Sequence, residues 1–335
     1  MSLKDLTKKS LSVLIIRSLG VLLLFSFTLF ITNFYSPQNV GRYDFVRSTL
    51  MVLGGLALMG TNQSMIYYSG LLKARKSVES IRLIYIKMIK IIFFLCIVIS
   101  IFFFSFLSES TASDIFQSHE SYSLLFKTIL TLFFFALTML NIDTIRALEK
   151  TILSEMYRSL FRYLPVFLFA IVLLQTKNQD LLVEAYLLGF LLLSFLSSIQ
   201  VYRLFSKLEK PTVNSEKFSL KEIFKTSSPM ALSAIAYFIM QSIDIVILSI
   251  YESFDQIAYY SVSVKLAMAT TLALMSVNIV IAPRIAEIYE KKEFQGLQQL
   301  IKHSTRIIFF ISICVLSILF FFSEEILNLF GEGYV

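Results

Sequence analysis

Apolar residues in this chain come in blocks of about twenty, the length an α-helix needs to cross roughly 30 Å of hydrocarbon. Nine blocks are read, at roughly 11–34, 44–68, 83–107, 121–143, 160–176, 181–202, 223–250, 257–282 and 306–323. They are too long and continuous for barrel strands, and backbone in lipid must satisfy its own hydrogen bonds, so they are expected to be helices. Composition agrees. Hydrophobic residues are 56% of the chain and charged residues 16%, where a soluble domain is about a quarter charged. The first block is too long for a signal-peptide h-region and carries no A-x-A-like site, so it is expected to stay as a transmembrane helix.

Charge sets the orientation. Of the 30 Lys and Arg, 25 fall at the N-terminal end or in the segments 70–90, 144–162, 203–225 and 283–306. Cytoplasmic loops hold such an excess, so the N-terminus is expected inside, with the acidic loop 108–120 outside. The net charge of +7 is thus first a topology signal. It is not concentrated on a soluble domain and gives a nucleic-acid partner little support. Cys96 and Cys314 lie inside blocks, away from any second Cys or His at metal spacing, and are expected to be buried structural thiols. No metal or cofactor is implied.

The chain repeats itself. SPQNVGRYDFV (36–46) aligns with SFDQIAYYSVS (253–263) at an offset of 217, setting Asn39 on Gln256, Val40 on Ile257, Gly41 on Ala258 and Tyr43 on Tyr260. A basic loop follows the second block and another follows the eighth. The third block ends FSFLSES and the ninth FFFSEEI. Helices 1–3 and 7–9 therefore read as copies in one orientation, and parallel repeats of this kind are a transporter plan. The expected fold is an all-α integral membrane protein of two parallel-repeat bundles. Residues 1–206 form a six-helix lobe, 207–222 a cytoplasmic linker, and 223–335 the start of a second lobe, three helices short of its repeat.

The stretches SPQNVGRYDF, SSPMALSAIAYFIMQSIDIVIL, YYSVSVKLA, IAPRIAEIYEKKEFQGLQQL and ILNLFGEGY, in that order and spacing, are similar to those of Wzx-type polysaccharide flippases. These belong to the multidrug/oligosaccharidyl-lipid/polysaccharide exporter superfamily. The resemblance implies two six-helix lobes in a V in the bacterial plasma (inner) membrane. It implies a cargo of undecaprenyl-diphosphate-linked oligosaccharide, an O-antigen or capsule unit, moved from inner to outer leaflet by alternating access. Membrane lipid and polysaccharide assembly proteins are the implied partners. Against the family pattern, this chain ends near the start of the tenth helix.

An ionised group in hydrocarbon costs about 2.5–3.5 kcal/mol on insertion scales, so it faces a cavity or a partner. Asp244, with Gln241, Tyr237 and Ser233 at spacings of three, four and four, forms a polar stripe on helix 7. It is either a cavity wall, with Asp244 binding H+ or Na+, or an interhelical seam. Lys265 in helix 8 lies at a depth within about 4–5 Å of Asp244. It is read as that residue's partner or as a lysine snorkelling outward. Arg17 and Arg47 are candidate diphosphate contacts, since a guanidinium presents a planar fork of donors; the plainer alternative is an anchoring role. Arg146, Arg158 and Arg162 are expected to set topology, and Pro229 and Pro283 to lie near helix ends.

His119 and His303 are expected on opposite sides of the membrane, which leaves no catalytic set, and there is no G-x-x-x-x-G-K-[ST] for ATP. An enzyme is not expected. The alternative functions are a cation-coupled multidrug exporter of the same superfamily and a flippase for lipid II or teichoic-acid precursors.

Overall fold

The computed structural model describes residues 3–116, 118–209, 218–268 and 293–331, with residues 333 and 334 and isolated positions between 270 and 288. Every regular element among them is helical: α1 (Leu3–Phe34), α2 (Pro37–Leu58), α3 (Thr61–Ala74), α4 (Ile81–Phe106), α5 (Glu109–Phe116), α6 (Ser121–Ala147), α7 (Thr151–Ser159), α8 (Leu164–Gln175), α9 (Leu182–Phe205), α10 (Leu220–Met240), α11 (Ile243–Tyr251), α12 (Phe254–Met268), α13 (Phe294–Phe321) and α14 (Ser323–Asn328). Among the described residues, seven helical stretches are long and apolar enough to cross a bilayer: Leu11–Phe34, Val78–Phe106, Ser121–Ala147, Thr151–Gln175, Gln179–Phe205, Leu220–Met240 and Phe294–Phe321. The chain is an all-α, multi-pass membrane protein.

Two expected blocks are absent from that set. Block 44–68 is broken, because Met59 (φ 44°) and Gly60 (φ 73°) both turn left-handed between α2 and α3. Block 257–282 begins as α12, and most of its remainder lies outside the described residues. Block 223–250 also breaks, at Gln241–Ser242, into α10 and α11. Both breaks carry polar residues, Thr61–Ser64 after the first and Gln241, Ser242 and Asp244 at the second, but the apolar stretches on either side are long enough to join them into one block.

The contacts group into two compact units, residues 35–258 and residues 1–34 with 259–335. This grouping puts α10 and α11 with the helices of the first bundle. The lobe boundaries expected from the repeat remain a proposal.

In the unit 35–258, α6 is the central post, packed on α2, α3, α4, α7 and α9. Its interior threonines donate to the carbonyl four residues back: Thr128 to Leu124, Thr131 to Lys127, Thr138 to Phe134 and Thr144 to Leu140. That satisfies a hydroxyl without water and lets polar residues line an interior helix. Phe135 and Phe190 pack between α6 and α9 with ring centroids 5.0 Å apart.

Helix α2 starts on Ser36, whose hydroxyl accepts from the Asn39 N–H, followed by Pro37 in the first turn. That is a position where proline loses nothing. The hydroxyl of buried Tyr35, just outside the helix, donates to the Ala170 carbonyl at 2.6 Å, and burial pushes the phenol up to about 12. Helix α10 starts on a reciprocal capping box between Ser219 and Glu222. Helices α10 and α11 then lie along α2, and α10 also along α3 and α4.

Pro229 lies well inside α10 rather than near its end. It has no N–H to offer the Lys225 carbonyl, and the Ser228 hydroxyl donates there instead, at 3.4 Å. Pro283 lies outside the described residues.

In the unit of residues 1–34 and 259–335, the Asn33 amide donates to the Leu329 carbonyl at 2.8 Å. Tyr259 and Tyr334 meet edge-on at 5.0 Å. Cys96 is buried as expected, whereas Cys314 is exposed on α13. The surface of such a helix needs only to match lipid, so an exposed thiol there is no exception to membrane packing.

Candidate functional site

Asp44 and Arg47, one turn apart on α2, form an enclosed charge pair. Arg47 Nε donates to Asp44 Oδ1 at 2.9 Å, with the carboxylate side chain fully buried and the guanidinium side chain 16% exposed. Arg47 also reaches the Met51 sulfur at 3.8 Å and the Ser48 hydroxyl at 3.5 Å.

Around this pair stand Tyr43, Tyr186, Tyr163 and Arg162, all within electrostatic reach of Arg47. Tyr43 and Tyr186 meet edge-on at 5.1 Å. The Arg162 guanidinium lies 5.7 Å from the Tyr163 ring centre, in range for a cation–π contact. Arg162 sits where the chain passes from α7 to α8. The expected topology-setting role thus understates it: it belongs to the lobe's interior chemistry.

A second buried network ties α6 to its neighbours. Asp143 is paired with Arg158 and accepts from the Asn62 amide at 3.1 Å. Arg158, too, does more than mark a cytoplasmic loop. Asn141 receives the Tyr85 hydroxyl at 2.6 Å and donates to Ser197 and Ser198 at 2.9 and 3.0 Å. These side chains tie α6 to α3, α4, α7 and α9, and buried networks of this kind rigidify a core.

The polar stripe of α10 does not form one continuous face. The helix ends at Met240, and Asp244 belongs to the first turn of α11, where a carboxylate faces the positive end of the helix dipole. Ser233 and Tyr237 are exposed on α10, and Gln241 and Asp244 are half-buried beyond the break. The α10 residues packed inward include Ile223, Ser227, Ala231 and Ala234. Tyr237 therefore points away from the buried face of α10.

Asp244 belongs to one compact unit and Lys265 to the other. Lys265 is 7% exposed on α12, and Arg17 is half-buried on α1. Burial of Lys265 argues against a lysine snorkelling to the outer surface.

A cavity of about 330 Å³ opens beside α2, α6 and α9, lined by Arg42, His119, Glu120, Lys127, Asp180 and Glu184 among others. Glu120 pairs with Arg42, Lys127 pairs with Glu184 at 2.6 Å, and the Asn39 amide donates to Asp180 at 3.1 Å. These contacts tie the helix ends together. His303 lies on α13, exposed, rather than in a loop. Among the described residues no group of His, Cys, Asp and Glu is arranged to hold a metal ion.

Sequence reasoning missed Tyr186 and the inward role of Arg162, and named Tyr43 only as a position of the repeat. A lone tyrosine in an apolar block gives no signal. Arg162 did carry one: it opens the RYLP run inside a segment that is otherwise apolar.

Residues 229–333 match the MatE family model. A comparison with curated proteins finds no match. Among solved structures, the chain resembles one described as the MATE multidrug transporter DinF-BH, captured in a complex. The TM-score is 0.61 at 17% sequence identity, over 98% of this chain and 75% of that one. At that identity the likeness establishes the fold: almost the whole chain follows the path of a MATE transporter.

Proposed function

We propose that this chain is a multi-pass membrane transporter of the MATE type, moving its cargo by alternating access in a bacterial plasma membrane, and that it is not an enzyme. The observation that carries this is the likeness along 98% of the chain to a multidrug transporter, supported by the MatE match over 229–333. Export of a small molecule coupled to H+ or Na+ is the reading these comparisons back best. Asp244, half-buried on the first turn of α11, is the proposed coupling group, with Gln241 half-buried at the break that precedes it; Tyr237, exposed on α10, would join it only in another state. Lys265 is the proposed partner of Asp244 in one state of the cycle.

One observation favours a second cargo. Lys265 is buried on α12, and Arg162 adds a second guanidinium beside the half-buried Arg47 of the Asp44 pair; cations so placed repel an organic cation and suit an anionic head group. That fits an undecaprenyl-diphosphate-linked oligosaccharide, with lipid II or teichoic-acid precursors sharing the same diphosphate chemistry and assembly proteins as partners. Such a head group cannot shed its water into hydrocarbon unaided. An inside-negative potential of about 100 mV would favour outward movement of two negative charges by roughly 2 × 2.3 kcal/mol.

Native mass spectrometry of the protein in lipid nanodiscs separates the two. The exporter reading expects retention of an organic cation, unaffected by Lys265→Ala or Arg17→Ala. Selective retention of the lipid-linked oligosaccharide, weakened by either substitution, would transfer the assignment to the flippase.

A further inference from the structure

We propose that a small monovalent anion of chloride size is bound inside the unit 35–258, between Arg162, the Tyr186 hydroxyl and Arg47. The proposal rests on this cluster's geometry and is independent of which cargo is carried.

Two guanidiniums and one carboxylate share this space, and the carboxylate is already engaged: Asp44 accepts from Arg47 at 2.9 Å. The groups acting most strongly on Arg162 are Tyr163, Tyr186, Arg47 and Tyr43, with no carboxylate among them. One positive charge is therefore left in excess among groups largely withdrawn from solvent, a costly state unless a counter-charge is present.

Two donors mark where the counter-charge sits. Arg162 Nε and the Tyr186 hydroxyl are shut off from solvent and have no partner within hydrogen-bond geometry among the described residues. The Arg162 guanidinium is the nearest donor to the Tyr186 oxygen, without closing a hydrogen bond of good geometry, so the phenol's own O–H and Arg162 Nε are left for a single small ligand to meet. Tyr186 is 1% exposed. Its ring is held edge-on against Tyr43 at 5.1 Å and against Phe190 at 5.2 Å, so the hydroxyl has little freedom to seek a partner elsewhere. The Arg162 guanidinium is likewise fixed near the Tyr163 ring, leaving its edge N–H groups to donate in plane.

Water would satisfy the donors but not the charge. A monatomic anion meets both requirements, with charge-assisted N–H and O–H donors around it.

The test is thermal unfolding of the purified full chain in detergent, with chloride exchanged for gluconate at constant ionic strength. The expected result is a melting temperature that rises with chloride to a plateau. Tyr186→Phe should raise the half-saturating chloride concentration about tenfold, the loss of one hydrogen bond to a charged group. Arg162→Gln should abolish the response, and Tyr35→Phe, which removes a buried hydroxyl outside the cluster, should keep it. Equal melting temperatures in chloride and gluconate would overturn the proposal and leave water as the occupant. So would a full chloride response in Tyr186→Phe, the variant that decides the matter if Arg162→Gln fails to fold.

Discussion

The Ser64 hydroxyl lies 2.7 Å from the Ser227 hydroxyl, joining residues 163 positions apart in the chain. Tyr68 donates to Thr226 at 3.0 Å one turn further along, and Lys87 donates to the Phe218 carbonyl. Together these fasten α3 and α4 to the start of α10. If transport requires this seam to part, Ser64→Cys with Ser227→Cys should form a disulfide under mild oxidation, and export should stop until it is reduced. The background should carry Cys314→Ser, since that thiol is exposed. Full-rate export by the cross-linked protein would show that the seam stays shut throughout the cycle.

Gly60 is the tight point of the same seam. A Cβ there would lie 2.5 Å from the Ser227 carbonyl oxygen and 2.6 Å from the Ala231 nitrogen, and the residue's φ is +73°. Both neighbours are backbone, so neither yields cheaply. The left-handed conformation alone costs a non-glycine residue roughly 1–2 kcal/mol. Gly60→Ala should therefore destabilise the protein by about 2 kcal/mol or more, read as a lower midpoint in denaturant. Gly70→Ala is the control, with nothing near its Cβ position; there the midpoint should hold or rise.

Removing one member of the Asp44–Arg47 pair leaves the other buried. Breaking a buried pair typically costs about 3–5 kcal/mol, so Asp44→Asn should sharply reduce the folded fraction. The double substitution Asp44→Asn, Arg47→Gln should recover part of the loss in a double-mutant cycle. Glu120→Gln, at the half-exposed pair with Arg42, should cost less than about 1 kcal/mol. Equal losses at the two sites would mean that water reaches Asp44.

Asp244→Asn tests ion coupling. If Asp244 is the coupling group, the variant should bind cargo yet lose the dependence of export on an imposed H+ or Na+ gradient. Unchanged gradient dependence removes Asp244 from that role and leaves it as the first-turn carboxylate of α11.

Asn141 should be among the least replaceable polar residues. It is fully buried and serves Tyr85, Ser197 and Ser198 at once. Asn141→Ala strands the Tyr85 hydroxyl and should cost about 1–3 kcal/mol. Ser198→Ala, which leaves the Asn141 amide bonded to Ser197, should cost less. Melting curves of the two variants give the comparison directly.

The membrane class and most helix positions were legible in the sequence, because both follow from apolar length. Arg47 and Lys265 stood out because charge in hydrocarbon is rare. What stayed hidden was local. The break at Met59–Gly60 depends on a methionine adopting φ > 0; Gly60 and the polar run that follows it fit close helix packing as well as a bend. The break at Gln241–Ser242 removed the continuous face on which Asp244, Gln241 and Tyr237 were aligned. Tyr186 was invisible because its importance comes from Arg162 and Tyr43, residues far away in the chain.

The start of α10 joins two of these features. Its first turn is closed by Ser219 and Glu222, while Phe218 is held by Lys87 through its carbonyl and by the Tyr68 ring at 5.1 Å. A rod that is pinned at one end works as a lever. Its 21 residues span about 30 Å. A tilt of roughly 10° about Ser219 would then carry Met240 about 5 Å, close to the pitch of one helical turn. Small rearrangements at the pinned end thus return as displacements of side-chain size at the Gln241–Ser242 break, where the chain already bends.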